Sequence, residues 1–273
     1  MYTAVVFYFS GTGNTWWVAD RIKRQLDAKN INASVVSIDT LSPKKADWWI
    51  KTADLVLFGW PVYSSDLPLP FKRFIESLPI SGKKKHIHTF CTQMGASGDG
   101  AWISRKRFLS KGLIVDTAAH FTMPSNMSML HNFLGTPDEE SIKRIMAKCE
   151  QQVACYVERL LTSRARVTGR YGFLLGMIQR GMYRLSVRKS QNRIGVDKDR
   201  CTACGLCVSL CPMHNIILKE IPEFAGNCTQ CLRCYSFCPT SAITYNRKTR
   251  DIDLYGKPYC VPDKHFKPSM LIK

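Results

Sequence analysis

The chain has 273 residues, 45% of them hydrophobic, which is the content of an ordinary soluble protein and enough for one sizeable core plus a smaller second unit. Its net charge of +18 is uneven: residues 161–192 carry seven Lys+Arg and no acid, against 20 and 14 over residues 1–160 and twelve and seven over residues 193–273. No apolar run reaches the roughly 18 residues of a spanning helix, and Met1 leads straight into a strand pattern without the basic and small-residue segments of a secretory signal.

Taken in order, residues 3–9 are a continuous apolar, β-branched and aromatic run, which predicts a buried parallel strand. They enter Ser10-Gly11-Thr12-Gly13-Asn14-Thr15, after which Val18, Ile22 and Leu26 recur as a helix face. A strand, a glycine-threonine loop and a helix N-terminus together hold a phosphate. Backbone N–H groups and the helix dipole point at the anion, and hydroxyls add donors. The dinucleotide fingerprint would need a glycine where Trp16 stands, and the Lys of a P-loop is missing. Residues 33–38 predict a second strand, 45–51 a helix carrying Trp48 and Trp49, and 54–60 a third strand ending in Trp60-Pro61-Val62-Tyr63-Ser64. Residues 85–91, with His86 and His88 on one face, predict a fourth strand, followed by Thr92-Gln93-Met94-Gly95-Ala96-Ser97-Gly98 and a helix over 101–109. A fifth strand over 113–121 and a helix over 141–161 complete an alternating pattern, which predicts a doubly wound parallel sheet.

This first part resembles the flavodoxins, whose first loop is Ser/Thr-x-Thr-Gly-Asn-Thr. The resemblance covers about 160 residues and implies the strand order 2-1-3-4-5, with FMN at the carboxyl edge between the first and third strands. Carried over by position, Ser10, Gly11, Thr12, Gly13, Asn14 and Thr15 become the phosphate cradle. Trp60 or Tyr63, with Pro61 and Val62, is placed to face the isoalloxazine, Tyr63 being the better stacking partner. Thr92, Gln93, Met94, Gly95 and Gly98 match the third flavin loop, at the pyrimidine edge. Trp16 departs from the family, which commonly has a glutamate there. Met123, Met127 and Met129 lie at the same edge as cover for the second domain, and His131 is the one titratable candidate proton donor to a substrate.

Residues 164–193 predict a basic helical connector. Tyr171, Leu174, Leu175, Ile178, Met182 and Leu185 share one face, expected to pack the two domains together. A dock for an acidic electron-transfer partner, of ferredoxin or flavodoxin type, and a peripheral contact with an anionic membrane are the functional readings of its charge. Nucleic acid has no helix-turn-helix, RNP or zinc-finger pattern behind it.

From Cys201 onward one spacing occurs twice: Cys201, Cys204, Cys207, Cys211-Pro212, then Cys228, Cys231, Cys234, Cys238-Pro239, an offset of 27. Thr202 and Thr229, Ser209 and Ser236, and Ile216 and Ile243 repeat with it. Zinc sites pair two CxxC knuckles or add histidines, and neither fits. The stretch resembles the two-cluster bacterial ferredoxins, in which the fourth cysteine of each run ligates the other cluster. That implies one [4Fe-4S] cluster on Cys201, Cys204, Cys207 and Cys238, a second on Cys228, Cys231, Cys234 and Cys211, and low-potential one-electron transfer. Cys91, Cys149, Cys155 and Cys260 have no ligand spacing and read as small hydrophobes.

Both halves together resemble the flavodoxin-ferredoxin fusion proteins of anaerobic bacteria and archaea. The expected fold is α/β: a flavodoxin-like domain over 1–162, a basic helical connector over 163–192, a small α+β two-cluster ferredoxin-like domain over 193–250 and a tail over 251–273. The implied function is that of an oxidoreductase moving electrons between FMN and two [4Fe-4S] clusters, in a reducing cytoplasm. An FMN-dependent reductase of a small molecule, and a basic adaptor with structural metal, are the alternatives.

Overall fold

The structure, a computed structural model, describes residues 2–126, 137–162, 166–190, 193–245, 248–249 and 266–272, the side chains of 184–190 and 248–249 excepted. Strands β1 (Thr3–Tyr8), β2 (Asn32–Ser37), β3 (Leu55–Pro61), β4 (Lys85–Gln93) and β5 (Leu113–Thr122) form one parallel sheet in the order 2-1-3-4-5. That is the doubly wound order the flavodoxin resemblance implies. Helices α1 (Asn14–Asp27), α2 (Pro43–Thr52), α3 (Leu69–Ser77), α4 (Arg105–Leu109) and α5 (Glu139–Leu161) cover its two faces.

The strands are apolar on both sides because both sides are covered. Val5, Phe7, Val56 and Phe58 point into a layer with Ile50 of α2, Phe71 and Phe74 of α3 and Phe108 of α4. Ala4, Val6, Leu55 and Leu57 point the other way, onto Val18 and Ile22 of α1 and Val153 and Val157 of α5. Each such large side chain is worth about 1.5–3 kcal/mol on burial. Local signals set the helix starts: Ser42 accepts from the Lys45 N–H at 3.3 Å ahead of Pro43, and Asp138 accepts from the Ser141 N–H at 2.7 Å. Helix α3 had no counterpart in the sequence reading. Its Leu-Pro-Leu-Pro entry looks like a breaker, yet Phe71, Phe74 and Ile75 sit at helical spacing and are buried.

At Gly59 of β3 a Cβ would lie 2.1 Å from the Phe90 ring across the strand pair. Gly59→Ala is therefore expected to cost about 1–3 kcal/mol by overpacking. Anaerobic chemical denaturation checks this, and an unchanged midpoint would refute it.

The second unit is small. It contains β6 (Ile194–Val196), α7 (Leu206–Ser209), β7 (Ile216–Leu218), β8 (Pro222–Phe224), α8 (Arg233–Phe237), β9 (Ile243–Tyr245) and β10 (Lys248–Thr249), numbering the connector helix Phe173–Ser190 as α6. Antiparallel pairing gives a three-stranded sheet of order β10-β9-β6 and a β7-β8 hairpin.

Connector helix α6 departs from expectation. Its apolar face does not pack the domains together: Tyr171, Leu174, Leu175, Ile178 and Met182 are all exposed. The opposite face is the anchor, made of close-approach glycines and polar groups. A Cβ on Gly98 would be 2.2 Å from the Gly172 carbonyl oxygen and 2.4 Å from the Gly176 nitrogen, so the helix start lies directly on the 96–99 loop. Arg180, buried, donates to Asp99 at 2.5 Å and to the Ser65 carbonyl at 3.0 Å, and Gln179 donates to the Ala96 carbonyl at 3.2 Å. Leu185 falls outside the described side chains.

The last described stretch is a strap. Tyr8 donates to the Met270 carbonyl at 2.5 Å and Ser37 to the Leu271 carbonyl at 2.7 Å, with Leu271 fully buried. Phe266 sits 5.0 Å from Trp16 and 5.9 Å from Phe237 by ring centroids, so the unusual Trp16 is one end of an aromatic ladder linking α1 to α8.

Candidate functional site

At the carboxyl edge of the sheet lies a cavity of about 460 Å³. Its first wall is the loop after β1, with Ser10, Gly11, Thr12, Asn14 and Thr15; the second is Pro61, Val62, Tyr63 and Ser64 after β3; the third is Thr92, Gln93 and Met94 after β4, with Pro124, Ser125 and Asn126 after β5. The sheet topology brings these together, since β1 and β3 are neighbours whose connections leave on opposite faces. Gly13 adopts φ 108°, which only glycine takes without strain, and turns the chain into α1 while its N–H donates to Ser10 Oγ at 3.0 Å. No side chain of the N-cap residue caps α1, and the N-terminus of a 14-residue helix carries the N–H groups and positive dipole end that suit an anion. Thr12 Oγ1 is buried and has no hydrogen-bond partner among the described residues. An orphaned hydroxyl beside a helix N-terminus fits the phosphate of a mononucleotide.

The neighbouring residues position rather than wait. Thr15 and Thr92 share a hydroxyl hydrogen bond of 2.8 Å, tying the first loop to the third, and Asn14 Nδ2 donates to the Pro124 carbonyl at 3.0 Å. Gln93 Oε1 accepts from the Ser97 N–H at 3.0 Å and from its hydroxyl at 2.6 Å, which folds the third loop back.

Three flavin candidates are placed elsewhere. Trp60 is fully buried in β3, packs on Phe71 at 4.9 Å and donates from Nε1 to the Gly100 carbonyl at 3.1 Å; its strand position keeps it in the core instead of at the cavity. Gly98 is occupied by α6, as above. Gly95 stands exposed at the loop tip, away from the cavity lining. Met123 is buried against the α1 and α5 layer, while Met127, Met129 and His131 lie outside the described residues.

The eight cysteines surround two small cavities, one lined by Cys201, Cys204, Cys207 and Cys238 and the other by Cys211, Cys228, Cys231 and Cys234. These are the two sets that the ferredoxin resemblance implies. The duplication extends to the backbone: left-handed residues fall in pairs 27 apart, Ala203 with Gln230, Gly205 with Leu232, and His214 with Ser241. Those turns aim N–H groups at sulfur. Ala203 donates to Cys201 Sγ at 3.4 Å and Gln230 to Cys228 Sγ at 3.3 Å; Asn215 donates to Cys211 Sγ at 3.3 Å and Ala242 to Cys238 Sγ at 3.2 Å. Hydrogen bonds to sulfur favour the thiolate, the form that binds metal. Burial pushes the Cys231 thiol up to about 12, with Arg233 pulling it down, and burial plus Cys231, Cys228 and Cys211 raise Cys234. Among the described residues no three His, Cys, Asp or Glu side chains converge as on a single ion. Four sulfurs around a shared space suit a multi-iron cluster, which binds each cysteine at a different iron, better than structural zinc.

The set of Cys211, Cys228, Cys231 and Cys234, the inner set, touches the sheet-edge cavity. Cys231 contributes to that cavity's wall together with Gln230 and Leu232, and Met182, Tyr183, Arg193 and Tyr245 complete the side facing the loops. A Cβ on Gly11 would lie 2.7 Å from the Cys231 carbonyl oxygen and 3.0 Å from Tyr63 Oη, so the two units meet backbone to backbone at this glycine. Beside the contact is Arg233, fully buried between two cysteines of the inner set. Its guanidinium donates to the Ser10 carbonyl at 2.7 and 3.0 Å, to the Leu210 carbonyl at 3.2 Å and to Asp39 at 2.7 Å, and it lies over the Phe9 ring at 4.8 Å. Burial pushes the Asp39 carboxyl up and Arg233 pulls it down; the 2.7 Å contact makes this an ion pair. Sequence reading missed Arg233. Its position inside the second cysteine run was the only signal. Of the four cysteines without ligand spacing, Cys91 and Cys149 are buried like small hydrophobes, with thiols raised by burial, whereas Cys155 is exposed and departs from that reading; Cys260 is outside the described residues.

A flavodoxin domain family model matches residues 5–127, and a 4Fe-4S dicluster domain model matches residues 200–243. Among solved structures the chain is similar to a flavodoxin from the domain Archaea, at 19% identity over 57% of this chain and 99% of that one, with a TM-score of 0.36. It is also similar to oxidised flavodoxin 2 from Bacillus cereus, at 19% identity over 57% and 99%, TM-score 0.40. General stress protein 14 from Treponema denticola, in complex with FMN, shares 10% identity over 59% and 99%, TM-score 0.41. No curated protein matches. The chain thus carries a flavodoxin domain followed by a 4Fe-4S dicluster domain, the pair of an iron-sulfur flavoprotein with an electron-transfer role.

Proposed function

We propose that this flavodoxin–dicluster fusion moves electrons within one chain between an FMN in the sheet-edge cavity and two [4Fe-4S] clusters, one on Cys201, Cys204, Cys207 and Cys238 and one on Cys211, Cys228, Cys231 and Cys234. The observation that carries this reading is the shared cavity, with flavodoxin loops on one side and Cys231 on the other. When bound, a cluster supplies a one-electron carrier and FMN a carrier of one or two, which allows single-electron donors to be linked to a two-electron acceptor. In this reading Ser10, Thr12 and the α1 N–H groups hold the phosphate, Gly13 gives the turn, and Tyr63, Pro61 and Val62 wall the ring with Gln93 and Met94. The Cys231 set is then the flavin-side set. The Cys201 set, with Cys204 exposed, is the solvent-side set. The +18 charge supports an acidic redox protein as external partner.

Anaerobic reconstitution with iron, sulfide and FMN tests it. The expected product holds one FMN and about eight iron per chain, and Cys204→Ser loses about half of the iron while keeping the flavin. A product holding zinc without iron, or one that takes up no flavin, would defeat the proposal.

A second reading, FMN-dependent reduction of a small molecule, is favoured by the Arg193, Tyr183 and Tyr245 side chains on the cavity wall opposite the flavodoxin loops. Reoxidation of the reduced protein by a small oxidant, slowed in Arg193→Ala, selects it.

A further inference from the structure

Helix α6 is held down by its polar and glycine face, so its other face stays uncovered. Tyr171 is 93% exposed, Leu174 67%, Ile178 60% and Met182 68%, with Leu175 beside them. Tyr171, just ahead of the helix, is followed by Leu174, Ile178 and Met182 at spacings of three and four residues, a stripe that runs along about 12 Å of helix at 1.5 Å per residue. Isolated exposed apolar residues are ordinary, whereas a continuous stripe of this size marks a contact surface.

Charge narrows the occupant. Every Lys, Arg, Asp or Glu in residues 161–192 is cationic, seven in all, and among the described side chains Arg180 is the one held in a buried ion pair. A second copy would bring +18 against +18 and cation against cation. Soluble electron-transfer partners use small contacts, which leaves no reason for five large apolar side chains on one face. An aromatic residue at the start of the exposed face, aliphatic ones along it and a segment whose charged residues are all cations are what lets a helix lie in a bilayer interface. No described helix is long and apolar enough to cross a membrane.

We infer that the exposed face of α6 seats on an anionic lipid surface, with Tyr171, Leu174, Leu175, Ile178 and Met182 at the headgroup–acyl boundary and the cationic 161–192 segment, in which Arg170 lies beside Tyr171, drawn to lipid phosphates. Met182 also lines the flavin cavity, so this seating turns the cavity mouth toward the bilayer. The inference does not depend on which cofactors the cavity holds.

The test is flotation of the full-length reconstituted protein with vesicles of phosphatidylcholine alone and of phosphatidylcholine with about one third phosphatidylglycerol. Binding to the anionic vesicles is expected, weakening as salt rises, and Leu174→Glu with Ile178→Glu should lower the apparent partition at least about tenfold. Both positions are exposed, so the double variant should keep its denaturation midpoint and far-ultraviolet spectrum. Flotation with neither vesicle, equal flotation with both, or partition unaltered in the double variant would overturn the inference. So would a sedimentation result in which the same substitutions dissociate a dimer, or capture of an acidic redox protein by this face in place of lipid.

Discussion

Arg233→Met is expected to remove about 3–5 kcal/mol of stability, because it leaves a buried carboxylate without its cation. Asp39 has a side chain 7% exposed, and the Ser10 and Leu210 carbonyls lose their donors at the same time. Methionine fills the space, so the loss reads out charge and hydrogen bonding more than volume. Arg233→Lys keeps the charge but not the fork that reaches Ser10, Leu210 and Asp39 together, and should recover only part of it. Adding Asp39→Asn to Arg233→Met should also recover part, since the stranded charge goes; a double-mutant cycle by anaerobic denaturation measures the coupling. The arginine joins Ser10, in the loop proposed to hold the phosphate, to the inner cysteine run, so FMN affinity is expected to fall with stability. A loss below about 1 kcal/mol would show the pair to be net neutral.

How much of this was legible beforehand depends on the range of the interaction. Buried strands announce themselves as unbroken apolar runs, so residues 3–9, 54–60 and 113–121 were placed within one or two positions. The two cysteine runs were legible because a 27-residue duplication leaves an unambiguous spacing, and their division between two cavities was what the ferredoxin resemblance implied; the backbone pairs at Ala203 and Gln230 or His214 and Ser241 were not legible, since neither Ala nor Gln advertises a left-handed turn. Trp60 is one residue on the buried side of the boundary that separates core from cavity, and strand ends are where pattern reading is least sharp. The apolar face of α6 was read correctly as a face and wrongly as a packed one, because a stripe says what wants burial without saying what buries it. Arg233 and the C-terminal strap reach partners far away in sequence, Asp39 at a separation of 194 and Tyr8 from Met270 at 262, and nothing local encodes those contacts.

Gly11→Val is expected to part the two units where they touch. The added carbons have no room: the obstacle at 2.7 Å is the Cys231 carbonyl, main chain that cannot swing aside, with the Tyr63 hydroxyl at 3.0 Å on the other flank. Either the first flavin loop or the inner cysteine run must shift, at a cost of about 1–3 kcal/mol. Iron and sulfide content should stay at the parent level, since none of the eight cysteines is altered. FMN affinity should drop about tenfold or more, the equivalent of about 1.4 kcal/mol, and flavin reduction from an external one-electron donor should slow with it. Gly95→Ala is the matched control. Gly95 has open space around its Cβ position and lies off the cavity lining, so its stability should stay within about 0.5 kcal/mol of the parent. Parent-like FMN affinity and parent-like flavin reduction in Gly11→Val would show that the contact between Gly11 and Cys231 is incidental, and that electrons reach the flavin cavity by another face.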